Sequence, residues 1–163
     1  MKLALVGDIG GTNARFALWK NHTLENIQVL ATADYACPED AIEVYLSGMG
    51  LQPGAIGSVC LSVAGPVSGD EFRFTNNHWR LSNLAFCQTL QVEKLLLVND
   101  FSAMALGMTR LRPDEYRVVC EGTPEPMRPA VVIGPGTGLG VGTLLDLGEG
   151  RFSVLPGGGG HVD

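Results

Sequence analysis

Three stretches of this chain bring together residue types that could handle a phosphorylated ligand. The first, Gly7-Asp8-Ile9-Gly10-Gly11-Thr12-Asn13, is a glycine-bearing corner at the end of an apolar run. Glycine tolerates positive φ and has no side chain to block an anion, so such a corner can turn several backbone N–H groups toward one point. Thr12 and Asn13 add neutral donors. A carboxylate at Asp8 beside phosphates makes sense with a divalent cation between them, directly or through its water, and Mg²⁺ is the natural candidate. The same residues also suit a long hairpin loop with a solvated aspartate.

The second stretch, "GPGTGLGVG" from Gly134 to Gly142, again follows an apolar strand. Gly136 and Gly138 permit close approach, and Thr137 between them offers a hydroxyl. Two such cradles suit a triphosphate. Neither fits the G-x-x-x-x-G-K-[ST] loop or the G-x-G-x-x-G fingerprint.

The third, Asn99-Asp100, ends an apolar strand and precedes a helix. Open α/β sheets bind ligands at that end of a strand, and Asp100 there could accept a proton from a substrate hydroxyl. Attack on a phosphoryl group has a loose transition state, so an aspartate of ordinary acidity suffices. Asp100 serves equally well as the N-cap of its helix. His161 closes a run of four glycines, 157 to 160, and is either solvated or aimed at a ligand hydroxyl. "FTNNHW", containing Asn76, joins carboxamides to an indole and suits a sugar, or is a turn with Trp79 in the core. His22 and His78 read as surface-loop residues.

The elements that must carry these residues can be read from the hydrophobic pattern. Strands are expected over 2–7, 14–20 and 26–32, an antiparallel start, then a short helix from Pro38 with acids in its first turn. Ile56–Val63 and Glu71–Thr75 follow as strands, and Ser82 caps a helix to Leu90. Lys94–Val98 reads as a strand buried on both faces. Phe101–Leu111 reads as a helix with Phe101, Met104, Ala105 and Met108 on one stripe. A new strand begins at Ala130, and the Pro/Glu-rich "GTPEPMRP" before it marks a boundary.

The bulk properties narrow the class. A length of 163 residues holds one domain, or one domain and the opening strands of a second, and 45% hydrophobic against 17% charged residues gives a packed core. The formal charge of −6 comes without a Lys/Arg block, so neither nucleic acid nor a membrane surface is an expected partner. Asp8 interrupts the first apolar run after four residues, short of the about 7 to 15 of a signal peptide. Cys37, Cys60, Cys87 and Cys120, spaced 23, 27 and 33 residues apart, read as reduced thiols of a cytoplasmic protein.

Taken together, "LVGDIGGTNARFAL", "AGPVSGDEFRFTNNHW", "LVNDFSAMALG", "GPGTGLGVG" and "LPGGGGHVD" resemble the bacterial glucokinase family of the sugar kinase and actin superfamily. "GDIGGTNAR" followed by "VNDF" about 85 residues later is far more specific than either motif alone. The resemblance implies an α/β, actin-like ATPase (ribonuclease H-like) lobe with a βββαβαβ sheet. We expect that lobe over 1–111, a linker over 112–129 and the start of a truncated second lobe over 130–163. It implies ATP and Mg²⁺ as cofactors and glucose or a related hexose as substrate. Asp100 becomes the catalytic base, and Asn99 and His161 become sugar ligands, beside the Asn76 reading above. Asp8, Gly10, Gly11, Thr12 and Asn13 become phosphate contacts, completed by Gly136, Thr137 and Gly138.

Two departures from the family pattern stand out. The family reads P-G-E-G-G-H where this chain has Gly158 in place of the glutamate, and losing that acceptor should weaken sugar binding by about 1.5–3 kcal/mol. The chain also stops at Asp163, about halfway through a family member, so a second copy or a missing C-terminal half is an expected partner. The other reading is a non-catalytic module on the same fold that senses sugar or nucleotide or serves assembly.

Overall fold

Leu5, Ile9, Phe16 and Leu18 alternate with smaller or polar neighbours, and in the computed structural model, which describes residues 3–135 and 139–157, these four are buried. They lie on β1 (Leu3–Ile9) and β2 (Asn13–Lys20), which pair antiparallel, and β2 pairs in turn with β3 (Thr23–Ala31). Asn21 and His22, both at positive φ (50° and 63°), make the β2–β3 reversal, the two-residue turn that matches strand twist.

The chain then forms α1 (Pro38–Ser47) and β4 (Ile56–Val63), followed by a small antiparallel hairpin of β5 (Glu71–Arg73) and β6 (Arg80–Ser82). Next come α2 (Asn83–Leu90) and β7 (Lys94–Asn99). β4 runs parallel to β1 and β7 parallel to β4, giving a five-stranded mixed sheet in the order β3-β2-β1-β4-β7. This is the expected βββαβαβ order with one added hairpin. Ile42, Tyr45 and Leu46 of α1 and Phe86 and Leu90 of α2 pack with the inward sheet residues into one core.

The start of α2 is doubly held. Ser82 Oγ accepts the Ala85 N–H at 3.2 Å, the expected cap. Asp70, from the bend just before β5, accepts the Leu84 N–H at 2.9 Å on Oδ1 and the Ser82 hydroxyl at 2.7 Å on Oδ2.

Two expectations need correction. β7 is an edge strand rather than one buried on both faces, and its Leu96 is 48% exposed. An apolar composition reports how much of a strand could be covered, not whether an element arrives to cover it. In α3 (Asp100–Met108) Ser102 and Ala105 are buried while Met104 and Met108 are exposed, so the buried stripe is narrower than the apolar one.

The chain divides into two compact units, Met1–Asn99 and Asp100–Asp163. The second contains α3 and an antiparallel sheet of β8 (Ala130–Pro135), β9 (Leu139–Asp146) and β10 (Phe152–Gly157). α3 groups with this sheet. Close approach is the reason: a Cβ at Gly140 would collide with the Phe101 ring, and one at Gly142 would lie 2.7 Å from the Phe101 carbonyl oxygen. Composition marks the polar stretch after α3 but carries no sign of this fit. Among the described residues no helix is long and apolar enough to cross a membrane.

Two measurements check these contacts. Gly140→Ala should cost about 1–3 kcal/mol by overpacking, seen as a lower denaturation midpoint with faster hydrogen exchange in α3. The Ser82 hydroxyl and Leu84 N–H lower the Asp70 pKa from its ordinary value. A group lowered by folding contributes stability above its unfolded pKa and loses it as pH falls through the folded one. Asp70→Asn should therefore lower the melting temperature at neutral pH, by a margin that shrinks below about pH 3.9.

Candidate functional site

In the first unit the parallel register aligns Ile9, Val63 and Asn99, so β1, β4 and β7 end side by side. Carboxyl ends of parallel strands form the edge at which open α/β sheets bind ligands. The Gly10-Gly11-Thr12 corner leaves β1 at that edge.

The corner has an asymmetric hydrogen-bond pattern. The Gly10 carbonyl accepts from Asn77 Nδ2 at 3.1 Å, the Gly11 carbonyl from Thr32 Oγ1 at 2.9 Å, and the Thr12 carbonyl from the Thr32 N–H at 2.9 Å. The Gly10 N–H donates to the Asn13 carbonyl at 2.9 Å, whereas among the described residues the N–H groups of Gly11 and Thr12 meet no protein acceptor. Three consecutive carbonyls are thus turned into the protein and two amides are left over. Backbone donors demand partners, and a pair of them with the exposed Thr12 and Asn13 side chains fits a phosphate. Gly11 must be glycine here, because a Cβ would sit 2.9 Å from the Asn76 carbonyl oxygen.

Asp8 is exposed on β1, opposite Arg15 on β2, with Oδ2 and Nη1 3.3 Å apart. An exposed pair of this kind is worth little, so the carboxylate is available to a cation. Among the described residues no three His, Cys, Asp or Glu side chains gather around one point. Asp8 is a carboxylate that could hold a Mg²⁺ together with phosphate and water, a usual arrangement for that ion.

Asn99 is half-buried, and its Nδ2 donates to the Gly65 carbonyl at 3.2 Å; Gly65 has φ 110°. Asp100 follows as the first residue of α3, and its Oδ1 accepts the Phe101 N–H at 2.9 Å. Asn76 is exposed and meets the corner through its backbone. Gly136, Thr137, Gly138, Gly158 and His161 lie outside the described residues.

The sugar reading of the "FTNNHW" indole does not hold. Trp79 is 0% exposed, its Nε1–H donating to the Tyr35 carbonyl at 2.9 Å, so the core reading wins. The residues that sequence reasoning missed are Thr32 and Asn77, which hold the corner from 20 or more residues away. Thr32, 2% exposed and opening the short 3-10 turn after β3, reads in sequence as one more β-branched strand residue. Asn77 also accepts the Trp79 N–H at 2.8 Å, and the asparagine two residues before a core tryptophan was its available signal.

The glucokinase family model matches residues 5–163. The glucokinase of Pseudomonas paraeruginosa is 58% identical over 161 residues, covering 99% of this chain and 48% of that protein. A crystal structure of glucokinase from an Antarctic psychrotroph has a TM-score of 0.83 at 32% identity, over 99% of this chain and 52% of that one. The glucokinase of Balamuthia mandrillaris, crystallised with glucose, has a TM-score of 0.63 at 27% identity, over 99% and 49% of the two chains. The chain spans about half the length of the curated relatives it matches.

Asn77→Ala should lower unfolding free energy by about 1–3 kcal/mol, because it strands the Trp79 N–H and the Gly10 carbonyl. The check is denaturant unfolding together with hydrogen exchange, which should quicken at Gly11 and Thr12.

Proposed function

Because this chain belongs to the glucokinase family, we propose that the protein transfers the γ-phosphoryl group of ATP to the 6-hydroxyl of glucose, in the cytoplasm. The observation that carries this reading is the corner at residues 10–12, whose carbonyls are tied down while the Gly11 and Thr12 amides stay available beside Asp8.

In this proposal the amides of Gly11 and Thr12 and the side chains of Thr12 and Asn13 hold phosphate oxygens from one side, with Gly10 leaving room for their approach. Gly136, Thr137 and Gly138 contribute from the second glycine stretch. Asp8 would hold Mg²⁺, directly or through its water, and the ion would supply charge neutralisation on the phosphates. Asn99, His161 and Asn76 hold sugar hydroxyls. The Gly65 carbonyl holds the Asn99 side chain in place by accepting from its Nδ2.

Asp100 takes the proton of the attacking hydroxyl. The Phe101 N–H on Oδ1 orients the carboxylate without neutralising it. Since the transition state is loose, the proton leaves late, and the aspartate serves by orienting the hydroxyl and receiving its proton as the new bond forms. The domain assignment stays part of the proposal, with residues 1–111 as the first lobe, 112–129 as the connection and 130–163 opening the second.

A chimera joining this chain to the second half of the Pseudomonas paraeruginosa glucokinase should phosphorylate glucose with Mg-ATP in a coupled assay. Asp100→Ala in that chimera should lower kcat by about 10²–10⁴-fold, with the KM for ATP little changed. A folded chimera that binds glucose yet loses less than threefold on this substitution would remove Asp100 as the base.

A further inference from the structure

Arg73 ends β5 and Arg80 begins β6, and the antiparallel register sets the two directly opposite each other. Both point outward, because Phe72 and Leu81 are the buried members of their strands. Like charges facing across a strand pair repel, and here they do so in a chain of net charge −6. Among the described residues neither arginine forms an ion pair. Glu71 stands on the same outward face of β5, and neighbouring Asp70 is engaged at the start of α2.

The two arginines border a depression of about 590 Å³, shared with Thr75, Asn77 and His78, a size within the range of small-molecule sites. Thr75 is exposed. The Asn77 amide is committed to Gly10 and Trp79, and His78 Nε2 donates to the Tyr35 carbonyl at 2.8 Å, leaving Nδ1 over. Phe74 lines the depression and is braced edge-to-face by Phe72 at 4.9 Å and by Trp79 at 6.0 Å.

The geometry points to an anion site in which Arg73 and Arg80 grip one phosphate group between their guanidinium groups, with the Thr75 hydroxyl as a further donor. Guanidinium forks match phosphate oxygens in both charge and direction, and a bound dianion turns the repulsion between them into attraction to a common partner. The ligand class is a small phosphate-bearing anion, either inorganic phosphate or a phosphate monoester. The site is separate from the corner and does not depend on the activity proposed above.

The test is a titration of the chain with inorganic phosphate at constant ionic strength, followed through backbone amides by NMR. Saturable shifts are expected over residues 72–80, with at least tenfold weaker binding by the Arg73→Gln/Arg80→Gln variant. Relieved of repulsion, that variant should melt no lower than the parent in phosphate-free buffer. Shifts confined to residues 10–13, an equal response to chloride, or affinity unchanged within twofold in the double variant would overturn the assignment. In a second arm a hexose 6-phosphate replaces phosphate. Tighter binding that the double variant loses assigns the depression to the ester, and equal binding that it loses assigns it to the phosphate group alone. Ester binding kept by the double variant and lost in Asp100→Ala would overturn the site.

Discussion

The direction in which three carbonyls point governs the candidate site. A corner between two antiparallel strands has donors and acceptors in equal supply, and left to solvent it would present both. Thr32 and Asn77 break that balance by taking the carbonyls of Gly10, Gly11 and Thr12. What remains at the surface is donor-rich, and an anion is the partner that satisfies it. The glycine at 11 serves the same end from the other side, since its missing Cβ lets the Asn76 backbone close on the corner.

That arrangement depends on residues far apart in sequence, which is why it was only partly legible. The order βββαβαβ could be read because each element carries its own period and its own punctuation: Asn21-His22, Pro38, the Gly65-Pro66 break, Ser82. The corner could be read as a phosphate motif from its glycines and its resemblance to a family. Its supports could not, because a threonine ending a strand and an asparagine in a turn look the same whether or not they reach a carbonyl elsewhere.

The sequence leaves Trp79 open between a sugar and the core, and it makes Leu96 and Met104 candidates for burial. Burial in each case follows from what packs against them. Trp79 fills the space between the hairpin and Tyr35. Leu96 lies on the edge strand of its sheet and Met104 beside a stripe that Ala105 occupies. Gly136 and Gly138 are read for a ligand, while Gly134, Gly140 and Gly142 of the same stretch make room for Phe101. One residue type satisfies both demands, so composition alone cannot separate them.

The β5–β6 hairpin shows how such supports tie distant parts of one unit together. Phe72, Phe74, Trp79 and Leu81 seat it in the core, and the Phe74 N–H to Trp79 carbonyl bond at 3.2 Å closes its loop. Asn77 sits inside that loop and reaches out to Gly10. A shift of the loop would therefore have to move Asn77 with it, and the Gly10 carbonyl would either follow or lose its donor. Because an unpaired carbonyl of this kind costs on the order of 1–3 kcal/mol, following is the cheaper course. The turn and the corner are thus tied through the one side chain of Asn77.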